Sequence, residues 1–230
     1  MIMAKLKMNL RRNLINAVLL AGGLLVIFLT GVNVNAIENY HEARKIFWEE
    51  LYPEGNTLYC RANIVHAKDK EVNVEHVFPM AWVKNSLNCG TRDECRRNSE
   101  LFNRIEADLH NLYPALAKLN YERQAYRFGI IKGEERRFGK HCDFEVSKKY
   151  RVAEPRQEVR GDVARAMFYM EYQYEELVLY EKQAKILLQW HFADLPSKEE
   201  HRRNDKIEKL QGNRNPFIDN PELLKKRIQK

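Results

Sequence analysis

Residues 71–79 read Glu-Val-Asn-Val-Glu-His-Val-Phe-Pro, a run in which the even-numbered positions from 72 to 78 are apolar or aromatic. Alternation with a period of two is typical of a β-strand that turns one face to the core. Pro79 ends the predicted strand, because proline lacks the amide hydrogen that a sheet ladder requires. The pair Glu75-His76 is therefore expected near the end of a strand.

The segments on either side of this strand are predicted to form further secondary-structure elements. Leu109–Leu116 is a second extended stretch, and a helix is predicted from Ala117 towards Phe128. The polar residues 84–100 are predicted to form a loop, whereas residues 40–51 have apolar side chains at helical spacing. Strand, loop, strand and helix thus follow one another in the first half of the chain.

The last third of the chain is predicted to be helical. Apolar side chains recur at helical spacing from Val163 to Tyr174 and again near Trp190. Ser197 with Glu200 forms a capping-box pattern, and Gly212 can end the helix that it starts. Neither an internal repeat nor a linker follows residue 37, so we predict one mature α+β domain, rich in helix.

The first 36 residues differ in composition from the rest. Four basic residues up to Arg12 precede an apolar run from Leu14 to Leu29, and small residues follow up to Ala36. This order is typical of a secretory signal peptide, although an uncleaved membrane anchor is the alternative. Removing the segment lowers the net charge from +7 to +3. With 44% apolar and 31% charged residues, the composition excludes a disordered chain and a multi-span membrane protein.

Four cysteines lie in the mature part of the chain. Cys89 and Cys95 are close enough in sequence for a local disulfide, which would leave Cys60 to pair with Cys142. The sequence alone permits three connectivities. A zinc site is the alternative, but the chain has no CxxC motif and export favours disulfides.

Two places carry side chains suited to catalysis. His76 can take a proton from water, and Glu75 can hold a divalent cation, although a histidine in a half-buried strand is also a common structural residue. Asn120 and Arg123 would share a helix face, where the amide oxygen suits Mg²⁺ and the guanidinium suits phosphate. The alternative for Asn120 is that it caps the helix.

Together these motifs resemble the bacterial endonuclease I family of periplasmic and secreted nucleases. The resemblance extends from about Tyr59 to Asp219. The segments that carry it are 75–79 (Glu-His-Val-Phe-Pro), 106–112 (Glu-Ala-Asp-Leu-His-Asn-Leu), Asn120 with Arg123, 152–156, 160–170 and 211–219. It implies a ββα-metal (His-Me finger) nuclease core embedded in a mainly helical domain, residues 37–230, after a signal peptide, residues 1–36.

The resemblance also implies roles for individual residues. His76 would be the general base, and Glu75 and Asn120 would bind one Mg²⁺, with Mn²⁺ or Ca²⁺ as alternatives. Arg92 matches a phosphate-clamping arginine, for which Arg96 and Arg97 are possible substitutes. Arg123 would assist at the phosphate, and Asn111 would pin the loop and help to orient the histidine.

The function implied is a metal-dependent endonuclease that cuts DNA, and often RNA, with little sequence preference and leaves 5′-phosphate ends. We expect a monomer in the periplasm or the medium, without lasting membrane association, that binds nucleic acid through its phosphates. A non-catalytic, secreted nucleic-acid-binding protein is the alternative. The basic stretch from Arg92 to Arg104 is the first choice for the contact surface, and Arg202, Arg203, Lys206 and Lys209 are a second choice.

Overall fold

The computed structural model describes residues 37–64, 71–133, 137–140 and 142–228. The chain divides into residues 1–33 and 34–230, and every described residue belongs to the second unit. The predicted signal peptide, residues 1–36, lies outside the described residues. Within the described ranges, no helix is both long enough and apolar enough to cross a bilayer.

Helices and short strands alternate along the chain, which confirms the α+β prediction. The helices are α1 Tyr40–Ile46, α2 Met80–Leu87, α3 Arg92–Asn98, α4 Glu100–Ala107, α5 Ala117–Arg123, α6 Arg160–Gln173, α7 Glu181–Ala193, α8 Lys198–Gln211, α9 Pro216–Asp219 and α10 Lys225–Ile228. The strands are β1 Val72–His76, β2 Leu112–Leu116, β3 Arg127–Phe128, β4 Phe144–Ser147 and β5 Val152–Pro155. A π-helical turn, Phe47–Leu51, continues α1, and 3₁₀ turns cover Leu109–Asn111, Gln157–Val159 and Pro221–Leu224.

The predicted strand pair and the helix after it are present, but Leu109–Asn111 of the predicted second stretch is a 3₁₀ turn and the strand begins at Leu112. β1 and β2 pair antiparallel, with His76 opposite Leu112 and Val72 opposite Leu116. The chain then enters α5 directly at Ala117. β1 ends at His76, so Val77 and Phe78 are outside the ladder and the strand ends two residues earlier than the alternation predicts.

The prediction of a loop over residues 84–100 is wrong, because most of this segment is helical. α2 continues to Leu87, and α3 begins after Thr91. Thr91 and Glu94 form a capping box, in which the Thr91 amide donates to Glu94 Oε2 at 2.7 Å and Thr91 Oγ1 accepts from the Glu94 amide at 3.3 Å. The Thr-x-x-Glu pattern was the available sequence signal, and the high polarity of the segment obscured it.

A second sheet, which the sequence did not predict, follows α5. The helix ends at Arg123 instead of continuing to Phe128, and β3 begins at Arg127. β5 lies in the middle of this sheet, parallel to β3 and antiparallel to β4. These strands are only two to four residues long, which is too short for a clear periodic pattern.

The strand pair β1–β2 lies between two hydrophobic cores. Tyr113 and Ala115 belong to the larger core, which includes α6 and α7, whereas Val74 and Leu112 belong to a smaller core with α1. The helical prediction for the last third is confirmed. The predicted capping box at Ser197 is also present, and Gly212, with φ of +83°, ends α8.

Buried histidines make the stability of the fold depend on pH. His110 is 1% exposed, and its Nε2 lies 3.3 Å from the carbonyl oxygen of Asn213. Burial lowers the pKa of His110 to about 4. The unfolded chain therefore binds a proton near pH 6.5 that the folded chain binds only near pH 4, and folding stability falls as the pH decreases through this window.

We expect replacement of His110 with glutamine to flatten this dependence. Between pH 6.5 and 4, the decrease in the free energy of unfolding that His110 causes approaches about 1.4 kcal/mol per pH unit. Urea unfolding at pH 7, 6 and 5 measures it, with His41→Gln, at an exposed position on α1, as the control. An equal slope in the parent and the His110 variant would contradict the assignment.

Candidate active site

A cavity of about 300 Å³ opens where β1 ends against α2, α3 and α5. Five residues nominated from the sequence line it: Glu75, His76, Arg92, Asn120 and Arg123. Neighbouring side chains on a strand point in opposite directions, yet both Glu75 and His76 reach this cavity because it lies at the end of the strand. The tertiary structure therefore brings together residues that are up to 48 positions apart.

The His76 ring is fixed by one hydrogen bond. Its Nε2 lies 3.0 Å from the main-chain carbonyl oxygen of Glu106, which only accepts hydrogen bonds. Nε2 therefore carries the proton, and Nδ1 of the neutral ring is free of hydrogen. Burial, assisted by the nearby positive charge of Arg92, lowers the pKa of His76 to about 4. At neutral pH the ring is uncharged and able to accept a proton.

Glu75 is almost fully buried on the other side of the strand. The Tyr59 hydroxyl donates to its Oε1 at 2.9 Å, and Arg123 Nη1 lies 3.2 Å from the same oxygen. Burial raises the pKa of this carboxyl group, and the positive charge of Arg123 opposes the rise. A divalent cation in the cavity would favour the ionised form further.

Asn120 presents its amide oxygen as the atom available to a cation. Its Nδ2 donates to Asn73 Oδ1 at 2.9 Å and to the Val74 carbonyl oxygen at 3.2 Å. Because the carbonyl can only accept, these bonds settle which end of the amide is nitrogen. The alternative that Asn120 caps the helix is wrong, since Leu116 is at the N-cap of α5. A carboxylate and an amide oxygen that line one cavity fit the ligand preference of Mg²⁺.

Two arginines enter the cavity from α3, both held by one buried carboxylate. Arg92 Nε lies 2.5 Å from Glu106 Oε1, while Arg96 donates to both Glu106 oxygens at 2.8 and 2.9 Å. The arginine side chains are 44% and 38% exposed, whereas Glu106 is 1% exposed. Although burial raises the pKa of Glu106, the two guanidinium groups bring it below its usual value. The arginines are thus oriented yet open to an anion.

Sequence reasoning assigned no role to Glu106, which contacts three residues of the cavity. Its side chain orients Arg92 and Arg96, and its main-chain oxygen orients His76. It lies in the family-like segment 106–112, which was the available signal, but no local pattern indicates that it joins His76 to the arginines.

Arg123 lines the cavity, but its side chain is buried and already hydrogen-bonded. The side chain is 1% exposed, and its terminal nitrogens donate to the carbonyl oxygens of His76 at 3.0 Å and Val77 at 2.6 Å. With Glu75 as a further partner, these contacts commit the guanidinium to the end of β1. They favour a positioning role over the expected contact with phosphate.

Asn111 fastens the chain that follows His76. Its Oδ1 accepts from the Phe78 amide at 2.6 Å, and its Nδ2 donates to the Phe78 carbonyl oxygen at 3.0 Å. The main-chain oxygen of Asn111 accepts from the Val77 amide at 3.1 Å. Asn111 therefore holds the end of β1. This role does not require Asn111 to contact a cation.

Both disulfides that the spacing favours are present, Cys60–Cys142 and Cys89–Cys95. The pairing includes all four cysteines of the chain, so no thiolate remains for the alternative zinc site. Cys60 adjoins Tyr59, the hydrogen-bond donor to Glu75, and Cys89–Cys95 tethers the start of α3. The first disulfide thus fixes the chain next to a partner of Glu75, and the second joins α3 to the residues that precede it.

The sequence of the chain is similar to those of known nucleases. A family model described as Endonuclease I matches residues 4–222. A periplasmic deoxyribonuclease of Aeromonas hydrophila is 32% identical over 87% of this chain and 94% of its own length. An extracellular deoxyribonuclease of the same organism is 41% identical over 63% of this chain and 64% of its own. Endonuclease-1 of Buchnera aphidicola subsp. Acyrthosiphon pisum is 28% identical over 81% and 76%.

Proposed function

The chain belongs to the endonuclease I family and is an endonuclease, and from that premise we propose that it hydrolyses DNA with little sequence preference. The protein is exported to the periplasm or the medium, like the relatives named periplasmic and extracellular deoxyribonucleases. In this proposal β1, β2 and α5 form a ββα-metal core within the mature domain, residues 37–230. The enzyme acts as a monomer, and RNA is a further substrate.

One observation carries the proposal: a neutral histidine, a carboxylate, an amide oxygen and two oriented arginines line a single cavity. His76 takes a proton from a water molecule that lies in line with the phosphorus. The water oxygen bonds to phosphorus while the bond to the 3′-oxygen breaks. A second water molecule donates a proton to the leaving 3′-oxygen, so the products are a 3′-hydroxyl and a 5′-phosphate. The Glu106 carbonyl keeps the proton-accepting Nδ1 of His76 unprotonated before the reaction.

The remaining residues stabilise the negative charge of the phosphate and hold it in position. Arg92 and Arg96 offer N–H groups to the phosphate oxygens, and their pairing with Glu106 limits the movement of both side chains. Glu75 and Asn120 would hold one Mg²⁺. When bound, the cation supplies further stabilisation of the negative charge that develops at the phosphate. Because phosphates are alike at every step of the duplex, these contacts carry no base preference.

Incubation of the purified protein with plasmid tests the function. We expect cleavage with Mg²⁺ and none with excess EDTA, and Mn²⁺ and Ca²⁺ in parallel identify the cations that support it. Product ends should accept a kinase label only after phosphatase treatment, because they carry 5′-phosphates. An intact plasmid in the presence of Mg²⁺ would instead support the non-catalytic nucleic-acid-binding alternative.

Substitution of Asn120 with alanine tests the cation site. Loss of a ligand oxygen should raise the Mg²⁺ concentration for half-maximal cleavage by about tenfold or more, by analogy with the cost of disturbing metal-site ligands. Asn85→Ala, at an exposed position on α2, is the matched control. If the Mg²⁺ requirement of the Asn120 variant equals that of the parent, Asn120 is not a ligand.

A further inference from the structure

The turn that joins β4 to β5 carries an unusual run of side chains. It consists of Lys148, Lys149, Tyr150 and Arg151, all exposed, and Ser147 pairs with Val152 to close it. The turn has three cations and no acid, and Tyr150 is 66% exposed. Arg151 has φ of +52°, a left-handed conformation that favours glycine, so a cation stands where glycine would fit more easily.

This turn lies beside the helix that borders the cavity. Lys148 Nζ is 3.1 Å from Glu122 Oε2 on α5, and the Arg151 guanidinium is 5.7 Å from the ring centroid of Tyr126. Asn120 of the same helix lines the cavity, two residues from Glu122. The turn is therefore connected to the cavity through less than one turn of α5.

The exposed side of α5 adjoins the turn through the contact between Lys148 and Glu122. Tyr121 follows Asn120 and is 78% exposed, and Lys118 is exposed one turn earlier. We call Lys118, Tyr121, Lys148, Lys149, Tyr150 and Arg151 the basic–aromatic surface. Glu122 is the acid found beside it, and its charge is paired with Lys148.

The chemistry of this surface fits one class of ligand. Lysine and arginine neutralise phosphates, and exposed aromatic rings stack on bases that are not paired with another strand. Covering a large, exposed aromatic ring with a flat apolar face lowers the free energy, because it removes apolar surface from water. A duplex would satisfy the cations but hides its base faces within the stack, so it would leave the tyrosines unused.

We propose that the basic–aromatic surface binds single-stranded nucleic acid that flanks the cleaved bond. This inference rests on the proposed nuclease function and extends it to the strand beyond the scissile phosphate. Lys149 and Arg151 contact phosphates, and Tyr121 and Tyr150 each stack on an unpaired base. The surface thereby favours single-stranded or locally opened substrates over continuous duplex.

Binding to labelled 12-nucleotide DNA, single-stranded or duplex, tests the inference. Fluorescence anisotropy in the His76→Ala background avoids cleavage during the measurement. We expect Tyr121→Ala and Tyr150→Ala each to weaken single-strand binding by about tenfold, with little change for the duplex. Lys149→Ala should weaken both and lower the slope of log K against log salt by somewhat less than one.

Matched variants make the outcome decisive. Tyr172→Ala on α6 and Lys226→Ala on α10 change a partly exposed tyrosine and an exposed lysine elsewhere, and they should bind like the His76→Ala parent. Parental affinity of both surface tyrosine variants for the single strand would overturn the inference, as would equal losses for single strand and duplex.

A small substrate separates this inference from the proposed function. With His76 restored, Tyr150→Ala should hydrolyse bis(4-nitrophenyl) phosphate at the parental rate, because this diester has no flanking strand. If the parent hydrolyses neither this compound nor plasmid, the nuclease function fails. The anisotropy series still tests the surface in that case, because it does not depend on catalysis.

Discussion

Replacement of His76 with alanine is expected to lower the rate of plasmid cleavage by about 10²–10⁴-fold, the usual contribution of general acid–base catalysis. The imidazole is neutral and oriented in the cavity, because the Glu106 carbonyl holds Nε2 and burial lowers the pKa of His76 to about 4. Single-turnover cleavage at saturating Mg²⁺ measures the effect on the chemical step.

Two further measurements separate loss of the base from loss of the fold. DNA binding by His76→Ala, measured in EDTA, should stay within about twofold of the parent, because phosphate contact is assigned to the arginines. His201→Ala, at an exposed position on α8, should cleave at the parental rate. Cleavage by His76→Ala at that same rate would show that another group removes the proton.

Replacement of Arg123 with methionine is expected to destabilise the protein by about 3–5 kcal/mol, the usual cost of breaking a buried ion pair. The change leaves the carboxylate of Glu75, which is 2% exposed, without its cationic partner and removes two donors from the carbonyls of His76 and Val77. The pKa of Glu75 should rise further, because the charge of Arg123 lowers it in the parent.

Urea unfolding followed by tryptophan fluorescence measures the change in the free energy of unfolding. Lys118→Met, on the exposed side of the same helix, should change it by less than about 0.5 kcal/mol. Arg123→Lys, which keeps the charge but loses the forked geometry, should fall between the two. A loss below about 1 kcal/mol for Arg123→Met would mean that Arg123 does not hold the end of β1 as its contacts indicate.

Local patterns were sufficient for several elements. The alternation in residues 71–79 predicted β1, and the Ser197 capping box with Gly212 predicted both ends of α8. The capping box joins residues within one helical turn, and the strand is recognised from the alternation of apolar residues. Both patterns are therefore contained in a short segment of sequence. Where polarity masked the same kind of signal, at Thr91 and Glu94, the prediction of a loop was wrong.

Motifs also nominated the side chains that meet in the cavity. Glu75, His76 and Asn120 stand out by chemical type and by resemblance to a nuclease family, and each lines the cavity. Their assignment to base and cation ligands stays a prediction, for which the variants above are the test.

The sequence by itself determined the α+β class, the strand–strand–helix order and the candidate site residues, because each of these depends on neighbours close in the chain. Only the tertiary structure decided how the side chains of those residues are oriented. The Glu106 carbonyl that holds His76 is 30 residues away from it, and Arg123 reaches back 47 residues to the end of β1. Such contacts depend on how the packed elements approach one another, and no periodic pattern in a short segment records that geometry.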